Sequence, residues 1–353
     1  MVRWGDEVNN TRVPWITRFK EGPWAPIWLG LSIAIGYLVT RCLFDGFFLL
    51  TWGFPPGTSS WWQSDVWWPE LVNATLFGYV PAVLMIASRG INRDLSQLRP
   101  WLPSADAVVD EIRNAATGPD VLAVRALKLV GLVIAALAVF TEPTLSRGAE
   151  QSMTNPGFLW PLLRTIAYAW FILSLVISDL KATRTYFNMG RNSIEVDLLD
   201  VQSLSPFAQR GLRSALTWII FSIIFSLFWL GEQASRGNPG LLMIALAMAT
   251  GAFLVPLIGV RESIISTKRS ELERLREEIR VERSIVLNNP PDDKPASPRL
   301  ANLIAYHQLI DRTQEWPINA ASLLRFFMYI LIGLGSWLGG ALIERLLDST
   351  LGT

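Results

Sequence analysis

The sequence is poor in residues that commonly do chemistry. It has one Cys (Cys42) and one His (His307) in 353 residues. A single Cys cannot form an intrachain disulfide, so a disulfide scaffold is excluded. One His and one Cys are too few ligands for a zinc or di-iron site of the usual His/Cys kind. No cofactor and no metal are therefore expected. Charge is scarce as well: Asp, Glu, Lys and Arg make up 17% of the chain, against about 25% in a soluble domain. The 31 basic and 30 acidic residues give a formal net charge of +1. That balance lacks the basic excess of a nucleic-acid binder.

Sequence signatures of catalysis are missing too. There is no GxxxxGK[ST] phosphate loop, no GxGxxG and no HExxH. His307 stands between Tyr306 and Gln308, away from any Ser nucleophile pattern. No carboxylate is expected at the centre of an apolar block, which disfavours a proton-coupled pump. Enzyme activity is not expected.

What the chain has is apolar sequence, 51% of it. A bilayer core of roughly 30 Å needs about 20 apolar residues in a helix. Seven blocks approach or reach that length, near 24–44, 71–87, 126–141, 158–177, 214–231, 241–260 and 323–343. Lipid offers no hydrogen bonds to the backbone, so each block is read as a helix. The first block reads as a retained span and not a cleaved signal, because it is long and Arg41-Cys42-Leu43 stand at its end.

Basic residues alternate between the connections. Four precede the first block, and none lies in 45–70. Five lie in 88–125, one in 142–157, five in 178–213, one in 232–240 and ten in 261–322. By the positive-inside rule the N-terminus is cytoplasmic and the C-terminus outside. The expected fold class is all-α: a polytopic membrane protein of about seven transmembrane helices, N-in/C-out. Residues 1–353 form a single membrane domain with a cytoplasmic helical region at 261–322.

The sixth helix is expected to continue past the membrane, because no Gly or Pro interrupts 261–289. Ile265, Leu272, Ile279 and Val286, with Leu275, mark an apolar stripe on it. It is read as an amphipathic helix packed on its own protein, or as a short coiled coil between subunits. Four prolines in 288–298 make a linker, and a second cytoplasmic helix follows over about 300–314. Its apolar face is read from Leu300, Leu303, Ile304 and Ile310. A short helix is expected at 104–116, and Ser205-Pro206 reads as an N-cap and first-turn pair. Residues 52–68 hold five Trp, which suits an interfacial outer loop.

Charges near one leaflet are the candidate functional residues. Arg41, Asp45, Glu142, Arg164 and Glu344 fall near the outer ends of their blocks. They are read either as ion pairs that anchor helices or as a solute-attracting outer vestibule. Arg164 is expected to face the bundle, because an arginine in lipid costs about 2.5–3.5 kcal/mol on the insertion scale. Gly335, Gly339 and Gly340 give the last helix a small-xxx-small face, suited to close helix packing, an oligomer contact or a pore lining. Cys42 is read as a small packing residue.

The segments IEVDLLDVQSLSPFAQRGLR (194–213) and EWPINAASLLRFFMYILIGLGSWLGGALIERLL (315–347) resemble stretches of bacterial polytopic membrane proteins of unknown function. That resemblance implies no activity. The seven-span layout, N-in and C-out, is similar to that of insect chemoreceptor channels, whose last helix lines a pore; the likeness is one of layout alone. Arg outnumbers Lys 26 to 5, as in GC-rich bacterial genomes.

The expected function is an inner-membrane, oligomeric channel or small-solute pathway gated from the cytoplasmic side. The alternative is a non-conducting scaffold or sensor whose cytoplasmic helices bind a protein. The lipid bilayer is the expected partner in both cases, with a homo-oligomer or a cytoplasmic protein as a further one and no nucleic acid. The topology has a direct test. In a Cys42→Ser background, single cysteines at positions 10 and 350 should label from opposite sides with an impermeant thiol reagent. Labelling of both from one side would overturn it.

Overall fold

A computed structural model describes residues 22–52, 67–102, 110, 125–126, 128–133, 159–230, 239–288 and 298–351. Regular structure among them is entirely helical. The long helices are α1 (Ala25–Trp52), α2 (Trp67–Leu98), α3 (Leu159–Asn192), α4 (Ser205–Ser226), α5 (Pro239–Asn288), α6 (Pro298–Asp311) and α7 (Ala320–Leu351). Single 3₁₀ turns flank α4 and follow α2.

Among the described residues, four helices are long and apolar enough to cross a membrane: Ala25–Phe47, Trp67–Trp101, Leu162–Asn192 and Met243–Asn288. They coincide with the first, second, fourth and sixth apolar blocks. The fifth block falls on α4, which opens with Arg210 and Arg213 and buries much of its surface inside the bundle. The described apolar part of α7 is the shorter stretch Ala320–Gly335. Of the third block only 126 and 128–133 are described, and they are helical. The expected helix at 104–116 lies almost wholly outside the described residues.

Polarity in α1 is inverted relative to a soluble protein. Trp24, Ile27, Trp28, Leu31, Ile35, Val39, Leu43 and Phe47 recur every three or four residues and are exposed. The opposite face carries Gly30, Tyr37, Arg41 and Asp45, turned toward α2 and α3. Lipid solvates the first face at no cost and would not solvate the second. Cys42 is exposed on the outward side, so it is not the packing residue its position suggests.

Small residues set the closest crossing. A Cβ on Gly30 would lie 2.8 Å from the Gly78 carbonyl oxygen, and one on Gly78 would press on the Gly30 carbonyl in return. Ala82 and Ala34 complete each contact at 3.2 Å. Two G-xxx-A motifs thus interlock, the small-xxx-small geometry of close membrane helices. By contrast, a Cβ on Gly335 or Gly339 would meet nothing within 4 Å among the described residues. On α7 it is Gly333 that approaches a neighbour, Ile219 of α4.

Contacts between helix ends define directions. Glu70 at the start of α2 meets Arg41 near the end of α1 and Arg164 near the start of α3. Trp68 donates through Nε1 to the Leu227 carbonyl just past α4 at 2.7 Å. At the other end, Asp94 of α2 meets Tyr186 of α3 and Arg213 near the start of α4. Helices α2 and α3 therefore run the same way, and α1 and α4 run against them.

Helix α5 has 50 residues, about 75 Å at ~1.5 Å per residue, far more than a bilayer core. Its extension carries α6, and of the expected stripe Leu272 and Leu275 are buried while Ile265, Ile279 and Val286 are half-buried. Ile264, Leu272 and Leu275 are buried there with Ile310 of α6, while Val281, Ile285 and Leu287 remain exposed. Ile304 of α6 is exposed too. Lys268 Nζ donates to the carbonyls of Asp311 at 2.8 Å and Thr313 at 3.1 Å. An ammonium there satisfies orphan carbonyls at the end of α6. The start of α4 also differs from expectation: Ser205 is the first helical residue, after Leu204, and makes no capping bond. The 3₁₀ turn Val201–Leu204 leads directly into the helix, so the chain is already wound before Ser205.

Gly78→Leu should lower the melting temperature in detergent by an amount equivalent to about 1–3 kcal/mol, the usual cost of overpacking. Gly36→Leu, on the same pair of helices but with open space around it, should leave melting unchanged. Equal effects would exclude the Gly30–Gly78 crossing.

Candidate functional site

Charged and polar groups enter the bundle in two layers. The rise from Glu70 to Asp94 along α2 is about 36 Å at ~1.5 Å per residue, so one layer lies near each end of that helix.

The first layer is centred on Glu70, which is 4% exposed. Tyr37 donates its hydroxyl proton to it. Asn73 Nδ2, Trp160 Nε1 and Arg164 each donate at 3.3 Å. Arg41 Nε lies 3.6 Å away, and the Arg41 guanidinium also pairs with Asp45 at 2.9 Å and covers the Trp160 ring at 5.1 Å. Tyr168 donates to the Asn73 side-chain oxygen. Rings of Tyr37, Phe77 and Tyr168 pack around the cluster. Arg41, Arg164, Asp45 and Glu70 form a neutral set, and every carboxylate has a cation. That arrangement ties α1, α2 and α3 together around a buried carboxylate.

Three of the charged residues singled out in the sequence thus meet: Arg41, Asp45 and Arg164. Arg164 points to the bundle. Glu142 lies outside the described residues, as does the Glu344 side chain, although position 344 is within α7. Gly340 is likewise within α7. The group that gathers the others, Glu70, escaped the sequence reading. It sits just before the second apolar block, where a carboxylate looks like an ordinary end charge. The helix starts at Trp67, which draws Glu70 into the bundle.

The second layer holds two carboxylates. Asp94, 0% exposed, accepts from Tyr186 Oη at 2.9 Å and pairs with Arg213. Its Oδ1 has no hydrogen-bond partner. Asp179 of α3 accepts from Arg210 at 2.9 Å, Ser214 Oγ at 2.5 Å and Trp218 Nε1 at 2.8 Å. Those three donors are four apart on α4 and so share one face. That spacing, at the edge of an apolar block, is the signal that could have exposed the site from sequence. Both carboxylates lie past the ends of their apolar blocks, not at a block's centre, and they are buried because α2 and α3 continue beyond those blocks without leaving the bundle.

Beside Asp179 a cavity of about 290 Å³ opens between α2, α3 and α4. Its polar lining includes Ser174, Ser178, Asp179, Lys181 and Arg210, with Lys128 from the helical stretch 128–133. Val83, Leu84, Ile91 and Leu175 supply apolar walls. Among the described residues, no group of three His, Cys, Asp or Glu could hold a metal ion. What the cavity can do chemically is bind: it combines cations, hydroxyls and an ion pair within an apolar bundle.

Comparison with protein-family models, curated proteins and solved structures gives no match for this chain.

Arg210 and Asp179 are both nearly enclosed, with side chains 5% and 10% exposed. Arg210→Met should therefore cost about 3–5 kcal/mol, because it strands a buried carboxylate. Adding Asp179→Leu should recover much of that loss in thermal unfolding in detergent. A double variant as unstable as the sum of the singles would show that the two residues are not coupled.

Proposed function

We propose that this chain is a multi-pass inner-membrane protein of seven spans, N-in and C-out, that provides a pathway for a small solute. The common direction of α2 and α3 supports the span count: the chain between them has to return across the membrane, which suits the third apolar block. The alternating loop charge supports the orientation. The observation that carries the pathway is the polar cavity of about 290 Å³ among spanning helices. Four ionisable side chains line it, and intramembrane ionisable groups mark solute routes by default. The small-residue face of α7, with open space at Gly335 and Gly339, is the contact between copies in an oligomer. Helix α5, continuous from the bundle into the α6 base, is the element through which cytoplasmic events reach the cavity.

A second reading has its own observation. Val281, Ile285 and Leu287 are exposed near the end of the α5 extension, where the charged sequence implies water. Such a surface suits a cytoplasmic protein partner and a scaffold or sensor role.

Swelling of proteoliposomes separates the two. Vesicles holding the purified chain should swell in iso-osmotic glycerol, sodium acetate or sodium phosphate faster than empty ones. Ser178→Phe, which fills the cavity, should abolish the difference while the protein still melts cooperatively. No swelling in any of the three, or swelling indifferent to Ser178→Phe, would overturn the pathway and favour the scaffold.

A further inference from the structure

We infer that the cavity between α2, α3 and α4 takes a small uncharged polyol and turns away both anions and cations. The inference rests on reading this cavity as the solute chamber and names the class of solute it accepts.

Matched charge on the wall is the first argument. Asp179 Oδ1 accepts from Arg210 and Ser214, and Oδ2 accepts from Trp218. Arg210 is balanced by that carboxylate at 2.9 Å, and its Nε is buried away from the cavity space. Lys128 and Lys181 have interaction partners of their own, and the Lys128 ammonium also lies 5.3 Å from the Trp170 ring. Moving an ion into an apolar bundle is costly unless a counter-charge awaits it. On this wall the charges are already engaged, so an ion of either sign gains little.

Hydroxyls are the second argument. Ser88, Ser174, Ser178 and Thr217 line the cavity. Ser88 and Thr217 give their protons to the carbonyls of Met85 at 2.8 Å and Arg213 at 3.0 Å, so they present lone pairs. Ser174 and Ser178 are half-buried and form no hydrogen bond among the described residues. Other helical serines of this chain donate back to the preceding turn, as Ser32, Ser96, Ser222 and Ser226 do. The two unbonded hydroxyls are four residues apart, on one face of α3 and about 6 Å apart along its axis. A ligand that satisfies this wall both donates and accepts. A hydroxyl does both, whereas an ionised carboxylate only accepts and an ammonium only donates. Two unbonded serines a turn apart suit a solute with more than one hydroxyl.

Shape is the third. Val83, Leu84, Ile91 and Leu175 make the apolar part of the wall, against which the C–H edges of a polyol can pack. A water takes about 30 Å³ of liquid, so a cavity of about 290 Å³ holds a molecule of several heavy atoms.

Thiol probes of different charge test this on the purified full chain. In a Cys42→Ser background, Ser178→Cys puts a thiol on the wall, and Ser174→Cys is a second position in case the first does not fold. Hydroxyethyl, sulfonatoethyl and trimethylammonioethyl methanethiosulfonate carry no charge, a negative and a positive charge, and intact mass follows each reaction. Rates are divided by those at Ser284→Cys, an exposed position on α5. The uncharged reagent should react at least about tenfold faster than either ion, given the cost of an unmatched charge in such a site. Glycerol should slow that reaction severalfold, and sodium acetate of equal osmolarity should not. A charged reagent as fast as the uncharged one, no protection by glycerol, or no reaction at either position would overturn the inference. Selective, glycerol-protected labelling without swelling of proteoliposomes would keep the polyol and remove the pathway. Swelling of the parent protein as fast in sodium acetate or phosphate as in glycerol would remove the polyol and leave the pathway.

Discussion

Three carboxylates, Glu70, Asp94 and Asp179, lie inside a bundle whose outward faces are apolar, and each is held by cations and hydroxyl or indole donors from neighbouring helices. Lipid supplies neither water nor hydrogen bonds, so an unpaired charge has nowhere favourable to go. The helices must approach until each carboxylate meets its donors. Much of the architecture follows. Arg41 and Tyr37 turn α1 inward on one face, Trp160 and Arg164 bring α3 to the start of α2, and Arg210 and Arg213 fix α4 against both. Apolar packing between lipid-solvated helices has little driving force of its own, which is why these polar contacts and the Gly30–Gly78 crossing carry so much of the specificity.

That same arrangement separates structural from receptive sites. The Glu70 layer is neutral and crowded by rings, which is the pattern of a clamp. Beside Asp179 the packing changes: a cavity of about 290 Å³ opens between α2, α3 and α4. The α5–α6 region is continuous with this part of the bundle, since Gly190 of α3 packs against Val260 and Gly259 packs against the Phe187 backbone.

Particular residues show how much could be read without coordinates. Apolar runs located the starts of α1, α2, α3 and α5 to within about a turn, because length and apolar content are local properties of sequence. Helix ends were less legible. Glu70 and Asp94 stand at the edges of an apolar run, and only their neighbours on other helices draw them inward. Arg41, Asp45 and Arg164 were recognisable as misplaced charges, but their common partner was not. The α7 glycines stood out by spacing, yet the interlocked small residues are Gly30, Ala34, Gly78 and Ala82, where the facing helix happens to carry its own matching pair.

The sequence by itself determined that this protein is helical, apolar enough to enter a membrane, and charged asymmetrically along its loops, since each of these depends on residues close together in the chain. Tertiary structure alone decided which carboxylate meets which cation, where a polar cavity opens, and which glycines touch. Those outcomes depend on residues tens to more than a hundred positions apart, and nothing in either partner's local sequence names the other.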